Sequence, residues 1–459
     1  MSRSLCRAIT TELAATDNTS FDSNFWLSFD QSEWTRALAW LDLSGLALYF
    51  WQRMKSIKAE EALPHHVQAQ LGKSCEENCA RVAAIEKEFM ILSKLFEDAG
   101  VEHAVLKGFA LVPDYCPDPT LRTQYDHDYL VRPDSLRRAE EFLQSAGYVR
   151  KNPAEDHPIV YIRPALEVDP FAELLGLYSA GLGRSIELHL RLWDSAEENI
   201  ELRLPEDFLD RVRRRPWRGS EYPALSDEDS LVFQVLHAFR HILRNWCRLS
   251  VFLEIAHFLR RQASDSNFWA RYHSRIKTLT CVPEASEMVF SLAEKLFGGS
   301  ARPEIKARRP SRISPVVDLW IERYGHRAAL ANFRNNKSSL FLHGEFVDDR
   351  SAWAKIWRRR LFPMHRPHRL PDVLCKRGPQ GLGRRWAEHL HILRRFKFHA
   401  FSALCYAWEY PQWRLHRRAR LLASSLASKS VGSELDKREC SLLLASEGGS
   451  RPGRTSIDA

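Results

Sequence analysis

Asp126-His127-Asp128 is where this 459-residue chain places two acids at a spacing that could do chemistry. In an extended segment, residues two apart point to one face, so both carboxylates would project together. Two like charges so close are costly unless a cation sits between them, and hard oxygen ligands suit Mg2+ or Mn2+. Glu187, inside the apolar stretch SIELHLRLW, is the best third carboxylate. Acids are rare in such surroundings unless paired or metal-bound. A D-x-D pair alone is weak evidence, since most such pairs are solvated turn residues, but Tyr129-Leu130-Val131 after it favours a strand.

A second group is Leu106-Lys107-Gly108, placed where a strand hands over to a helix. Glycine lets the backbone turn sharply beside a phosphate, and Lys107 would add a point charge. The competing reading is an ordinary turn with a solvated lysine. His189 shares a strand face with Glu187, which suits a supporting role more than direct ligation. A zinc site from Glu187, His189 and His157 has no recognised spacing behind it. Cys75 and Cys79 lie one helical turn apart, with His65-His66 nearby, yet buried helix cysteines are commoner than metal clusters. No P-loop, dinucleotide fingerprint or nucleophile elbow is present.

The elements that must position these groups fall in three stretches. Residues 1–95 read as helical, with WTRALAWLDLSGLALYFWQRM, a break at Leu63-Pro64 and an amphipathic helix from about Val67 to Ala99. Between about 100 and 200, strands and helices interleave. EHAVL, DHDYLV, YVRKN, IVYIR and SIELHLRLW read as strands, and FALVP as helical. PDSLRRAEEFLQSAG reads as a helix with Asp134 as its N-cap and Gly147 as its stop. From about 205 the pattern is helical again, opening with Ser226 as a cap before SDEDSLVFQVLHAFRHILRN.

The expected class is therefore α+β, a small mixed-sheet core flanked by helical regions. The divisions are 1–95 helical, 96–204 catalytic core, 205–300 helical packing on the core, 301–430 basic and helical, and 431–459 a disordered tail.

The order strand, Lys-Gly, helix, loop, D-x-D strand, later carboxylate strand resembles the nucleotidyltransferase fold of the DNA polymerase β type. The phrase AVLKGFALVPDYCPDPTLRTQYDHDYLVRPDSLRRAEEFLQSAGY is more closely similar to the bacterial family called uncharacterised nucleotidyltransferases. That family's pattern runs L-K-G-x-A-L, a loop with Y-P-D-P-x-x-R, then D-x-D-x-L-V and a G-Y close. Tyr115, Pro117, Asp118, Pro119 and Arg122 fill the loop here, with Cys116 inserted. Trp34, Glu187 with His189, the pair His237 and His241, and Leu361-Phe362-Pro363 extend the likeness over residues 25–420.

The resemblance implies transfer of a nucleoside monophosphate from an NTP such as ATP to an acceptor hydroxyl, with pyrophosphate released. Asp126, Asp128 and Glu187 would hold Mg2+ or Mn2+, while Lys107, Gly108 and Arg122 would hold the triphosphate. The acceptor is open: a small molecule, saccharide, protein or RNA. Gly108-Phe109 departs from the superfamily's Gly-Ser or Gly-Gly. His127 and Tyr129 replace the usual apolar neighbours, and His127 should face away from the site.

Net charge is +9, but it is unevenly spread: residues 301–430 hold 28 Lys and Arg against 9 Asp and Glu, whereas residues 1–300 hold 35 against 44. The basic block reads first as a helical region packing on the acidic front. Its Arg and Trp clusters over 350–420 also suit nucleic acid or an anionic membrane surface. The alternative function is a catalytically weak relative acting as a binding or assembly factor. Nine scattered cysteines read as reduced thiols in a cytoplasmic protein. The N-terminus lacks the apolar stretch of a secretory signal.

Overall fold

The structure is a computed structural model that describes residues 3–15, 22–152, 157–163, 176–181, 183–244, 248–298, 313–330, 337–363 and 382–447. Its centre is a mixed sheet of seven strands: β1 (His103–Val105), β2 (Asp126–Val131), β3 (Val149–Arg150), β4 (Ile159–Ile162), β5 (Ser185–His189), β6 (Arg213–Trp217) and β7 (Ser220–Ala224). Their spatial order is β3-β4-β5-β2-β1-β7-β6. β2 lies between β1, to which it is antiparallel, and β5, to which it is parallel.

Alternation along these strands sorts the side chains into two layers. Tyr129 and Val131 of β2, with Ile186 and Leu188 of β5, pack on the 34-residue helix His65–Asp98 through its Ile85, Phe89, Leu92 and Phe96. Leu130, Ala104 and Leu106 face the opposite way, toward Phe233 on the helix Asp227–Leu243. That helix begins where expected, at Ser226, whose hydroxyl accepts from the Asp229 N–H. A larger apolar core joins the helices Arg3–Ala14, Gln31–Ser44 and Ala47–Ser56 to those between 227 and 361. Gly45, at φ +72°, separates the second and third of these.

Four sequence expectations differ from the structure. The chain returns to the sheet after residue 205, because the hairpin β6–β7 pairs with β1 and completes one edge. Arg213, Arg214 and Arg215 of β6 hide this strand from a hydropathy reading; they are held by Asp227, Glu97 and Asp114. Asp134 is not the N-cap of its helix. It sits inside a 3-10 turn, Pro133–Ser135, ahead of the helix Leu136–Ser145, while Gly147 does close that helix at φ +84°. FALVP is likewise a 3-10 turn, Gly108–Leu111. At the other end a 66-residue helix, Leu382–Glu447, runs past residue 430, where a disordered tail is expected. Residues 448–459 lie outside the described residues.

Under the sheet, Glu88 of the long helix ties three segments together. It accepts from the Tyr148 hydroxyl at 2.7 Å, pairs with Arg184 just before β5, and lies 3.3 Å from His127 Nε2. Burial pushes the Glu88 carboxyl up, but these hydrogen bonds outweigh it and bring the value down to about 2 from an ordinary 4.5. A depressed carboxyl pKa stabilises the fold above the unfolded value, and that stability is lost as pH falls through the folded one. Glu88→Gln is therefore expected to cost roughly 2–3 kcal/mol at neutral pH. Denaturant titrations of both proteins should show the gap closing between about pH 4.5 and 2.

Candidate active site

The site forms on the sheet face turned toward the helix Asp227–Leu243. β2 and β5 run in register, so Asp128 stands opposite Glu187 and Leu130 opposite His189. Ligand atoms of Asp128, Glu187 and His189 all lie within 4.8 Å of one another. His189 Nε2 is 3.1 Å from Asp128 Oδ1 and 3.7 Å from Glu187 Oε2. Lys107, two residues past β1, donates from Nζ to the same Asp128 Oδ1 at 2.8 Å. Asp128 Oδ2 is buried and has no hydrogen-bond partner among the described residues.

The charges set one another. Burial raises the Asp128 carboxyl, but the Lys107 ammonium and His189 outweigh it and hold the group well below the usual carboxylate range. Glu187 is pushed up to about 8, first by burial and then by the Asp128 and Asp126 charges. Burial works against the Lys107 ammonium, yet the three carboxylates raise it overall. Burial lowers His189 despite its contact with Asp128. So one carboxylate is firmly ionised and its neighbour is held close to neutral, the pattern of acids that share too little positive charge.

Asp126 opens β2, half-buried, and is outside the three-residue ligand group. Burial and the Asp128 charge raise its carboxyl, opposed by Lys107, Arg122 and Arg248. Arg122 is committed: its Nε donates to Glu254 Oε1 at 3.0 Å, and the Tyr49 hydroxyl donates to the same oxygen at 3.1 Å. Gly108 sits at φ +67°, where an added Cβ would fall 2.6 Å from Gln124 Nε2. That amide in turn donates to the Asp126 carbonyl at 2.9 Å. His127 points to the opposite layer, stacked between Phe89 and Tyr129.

The zinc trio, set aside on its spacing, does not assemble among the described residues. His157 Nε2 accepts the Leu190 N–H at 2.9 Å, and Asp128 takes its place beside Glu187 and His189. Cys75, Cys79, His65 and His66 form no ligand group among the described residues. Cys6, Cys75, Cys79, Cys116, Cys281 and Cys405 are free thiols.

Sequence reasoning missed the residues that carry the loop before β2. Fully buried Asn78 donates to the Thr120 and Arg122 carbonyls at 2.7 and 3.2 Å, and Arg81 donates from Nε to the Gln124 carbonyl at 3.0 Å. A polar residue and an arginine three apart on the inner side of an otherwise apolar helix face were the available signal. It also missed Arg240, whose charge is felt by Glu187 and Asp128 from the helix above the sheet. His237, one turn earlier, has its ring 4.4 Å from that of His241, and burial beside Lys107 holds it well below its ordinary pKa.

The family model described as uncharacterised nucleotidyltransferase matches residues 30–298. The chain belongs to this family. The matched span contains the whole sheet, the acidic group and the helix that covers it. No curated protein matches the chain. In this chain the Lys-Gly turn and the acidic strand β2 lie side by side, and Gly108 is the backbone position that permits the turn. Gly108→Ala should lower stability by about 1–3 kcal/mol, from the left-handed backbone and the clash with Gln124. A fall in thermal midpoint with an unchanged circular dichroism spectrum would register it, and an unaltered midpoint would refute the strain.

Proposed function

We propose that this chain is a metal-dependent nucleotidyltransferase that moves a nucleoside monophosphate from an NTP to an acceptor hydroxyl. The observation that carries this reading is the convergence of Asp128, Glu187 and His189 on one buried face beside Lys107. The residues fit a hard divalent cation: Asp128 Oδ2 is an orphaned, buried acceptor, and two more donor atoms lie close by. Asp126, Asp128 and Glu187 would hold Mg2+ or Mn2+. When bound, the ion would supply Lewis-acid charge to the phosphate oxygens.

The chain's own groups supply the rest. Lys107 carries a buried positive charge that can be shared between Asp128 and a phosphate. Gly108 removes a side chain from the turn beside it. Arg122, fixed by Glu254, gives a steady positive charge behind Asp126. In the reaction the acceptor oxygen bonds to the α-phosphorus, the bond to the bridging oxygen breaks, the hydroxyl proton is released and pyrophosphate leaves.

A second reading rests on the same contacts. Lys107 and His189 already sit on Asp128 Oδ1, so the two could stand permanently in place of a cation in a chain that binds but does not turn over. Incubation of the full chain with α-phosphate-labelled NTPs, Mg2+ and a cell extract separates the two. Label transfer should fall roughly 100-fold or more in Asp126→Asn and in Asp128→Asn, and vanish with chelator. Transfer unchanged in both variants would sink the assignment. NTP binding in calorimetry without any transfer, and indifferent to Mg2+, would favour the binding factor.

A further inference from the structure

The helix Leu382–Glu447 shows two faces. One packs on the protein: Tyr406 and Trp413 stack on Phe341 at 4.7 and 5.3 Å, Trp357 Nε1 donates to the Tyr406 hydroxyl at 3.2 Å, and Arg417 pairs with Glu345 at 2.8 Å. The other face holds Trp386, Leu390, Leu393, Phe401, Leu404, Trp408, Leu415, Leu422 and Leu426, each at least 40% exposed. Spaced three, four, seven or eight apart, these residues stay within about 80° of arc at 3.6 residues per turn. Pro411 and Ala419 fill gaps in the same stripe. Tyr406, Trp413 and Arg417 fall on the far side of the helix. The stripe runs about 60 Å at 1.5 Å per residue.

We propose that this stripe seats the chain on an anionic membrane surface. Exposed Arg394, Arg414 and Arg418 border the stripe, and Lys397 lies within it. Among the described residues the ion pairs of Arg327, Arg417 and Arg420 close on Glu409, Glu345, Asp318 and Glu322, inside the basic block itself. Among the described residues none of these acids pairs with a bordering cation, so the outer face presents apolar residues rimmed by basic ones. Leucines and tryptophans flanked by arginine suit the boundary between acyl chains and anionic headgroups.

A second copy fits poorly, because two such faces would bring arginine against arginine. Nucleic acid fits poorly too, since six of the nine stripe residues are leucines, which offer bases no ring to stack on. The helix lies on the surface in this account: no described helix is long and apolar enough to cross a membrane. Beside it, Trp353, Trp357, Phe362, Tyr410 and Arg414 help to line a cavity of about 660 Å3. Trp357 and Phe362 there are exposed, which widens the apolar surface beyond the stripe.

Flotation of the full chain with phosphatidylcholine vesicles, with and without about 30 mol% phosphatidylserine, tests the proposal. It expects co-flotation with the anionic vesicles and a blue shift of tryptophan emission. The triple variant Leu404→Glu, Trp408→Glu, Leu415→Glu should lose binding about tenfold or more while its thermal midpoint holds, since these side chains face away from the packed core. Arg394→Glu with Arg418→Glu should remove the preference for phosphatidylserine. Absence of flotation with either vesicle, or equal flotation of the triple variant, overturns the proposal. So does a dimer in light scattering that the triple variant dissolves, or RNA binding that it abolishes while vesicles remain unbound.

Discussion

Everything at the candidate site depends on the parallel pairing of β2 with β5. In that register Asp128 faces Glu187, and the next residue but one brings His189 to the same carboxylate. A slip of one residue would turn the acids into the apolar layer and His127 and Tyr129 out of it. What resists the slip lies on the reverse side. Glu88 reaches His127 on β2 and Arg184 at the entry to β5, so one carboxylate on one long helix pins both strands from beneath. The apolar contacts of Phe89 and Phe96 with Phe109 and Tyr129 fix the same surfaces.

On the working face the problem is an excess of negative charge in a place poor in water. Asp126, Asp128 and Glu187 compete for Lys107, and burial makes each unmet charge expensive. The protein answers by ionising one acid firmly and leaving another close to neutral. Such a group is stable enough to fold and gains when further positive charge arrives, which is the condition expected of a site that takes a cation with its substrate. The helix Asp227–Leu243 packs over this face, and the charge of its Arg240 is felt by Asp128 and Glu187. The N-terminal helices reach the site indirectly, through Tyr49 and its hold on Glu254 and hence on Arg122.

Much of this was legible in the chain. The strand Asp126–Val131 and the caps Ser226 and Gly147 follow from local chemistry, and they appear where local chemistry puts them. Other features depended on distant partners. β6 carries three consecutive arginines and reads as polar, because its pairing with β7 and its ion pairs to Asp114 and Asp227 are invisible in a window of sequence. Asp134 looked like a cap, but the proline before it allowed a 3-10 turn to form first. The spacing of His189 with Glu187 suits a supporting role; only the register of β5 against β2 shows that it also meets Asp128. The basic block meets the acidic front where Arg360 donates to the Leu243 carbonyl and its charge, with that of Arg359, is felt by Glu198, while the ion pairs of Arg327, Arg417 and Arg420 close within the block.

Diffraction from crystals grown with Mn2+ and a non-hydrolysable nucleoside triphosphate tests the central claim most directly. The account predicts an anomalous peak between Asp128 and Glu187, with the triphosphate beside Gly108 and Lys107 turned toward a phosphate oxygen. A site without metal, with Lys107 still on Asp128 and the nucleotide absent or bound elsewhere, would contradict it.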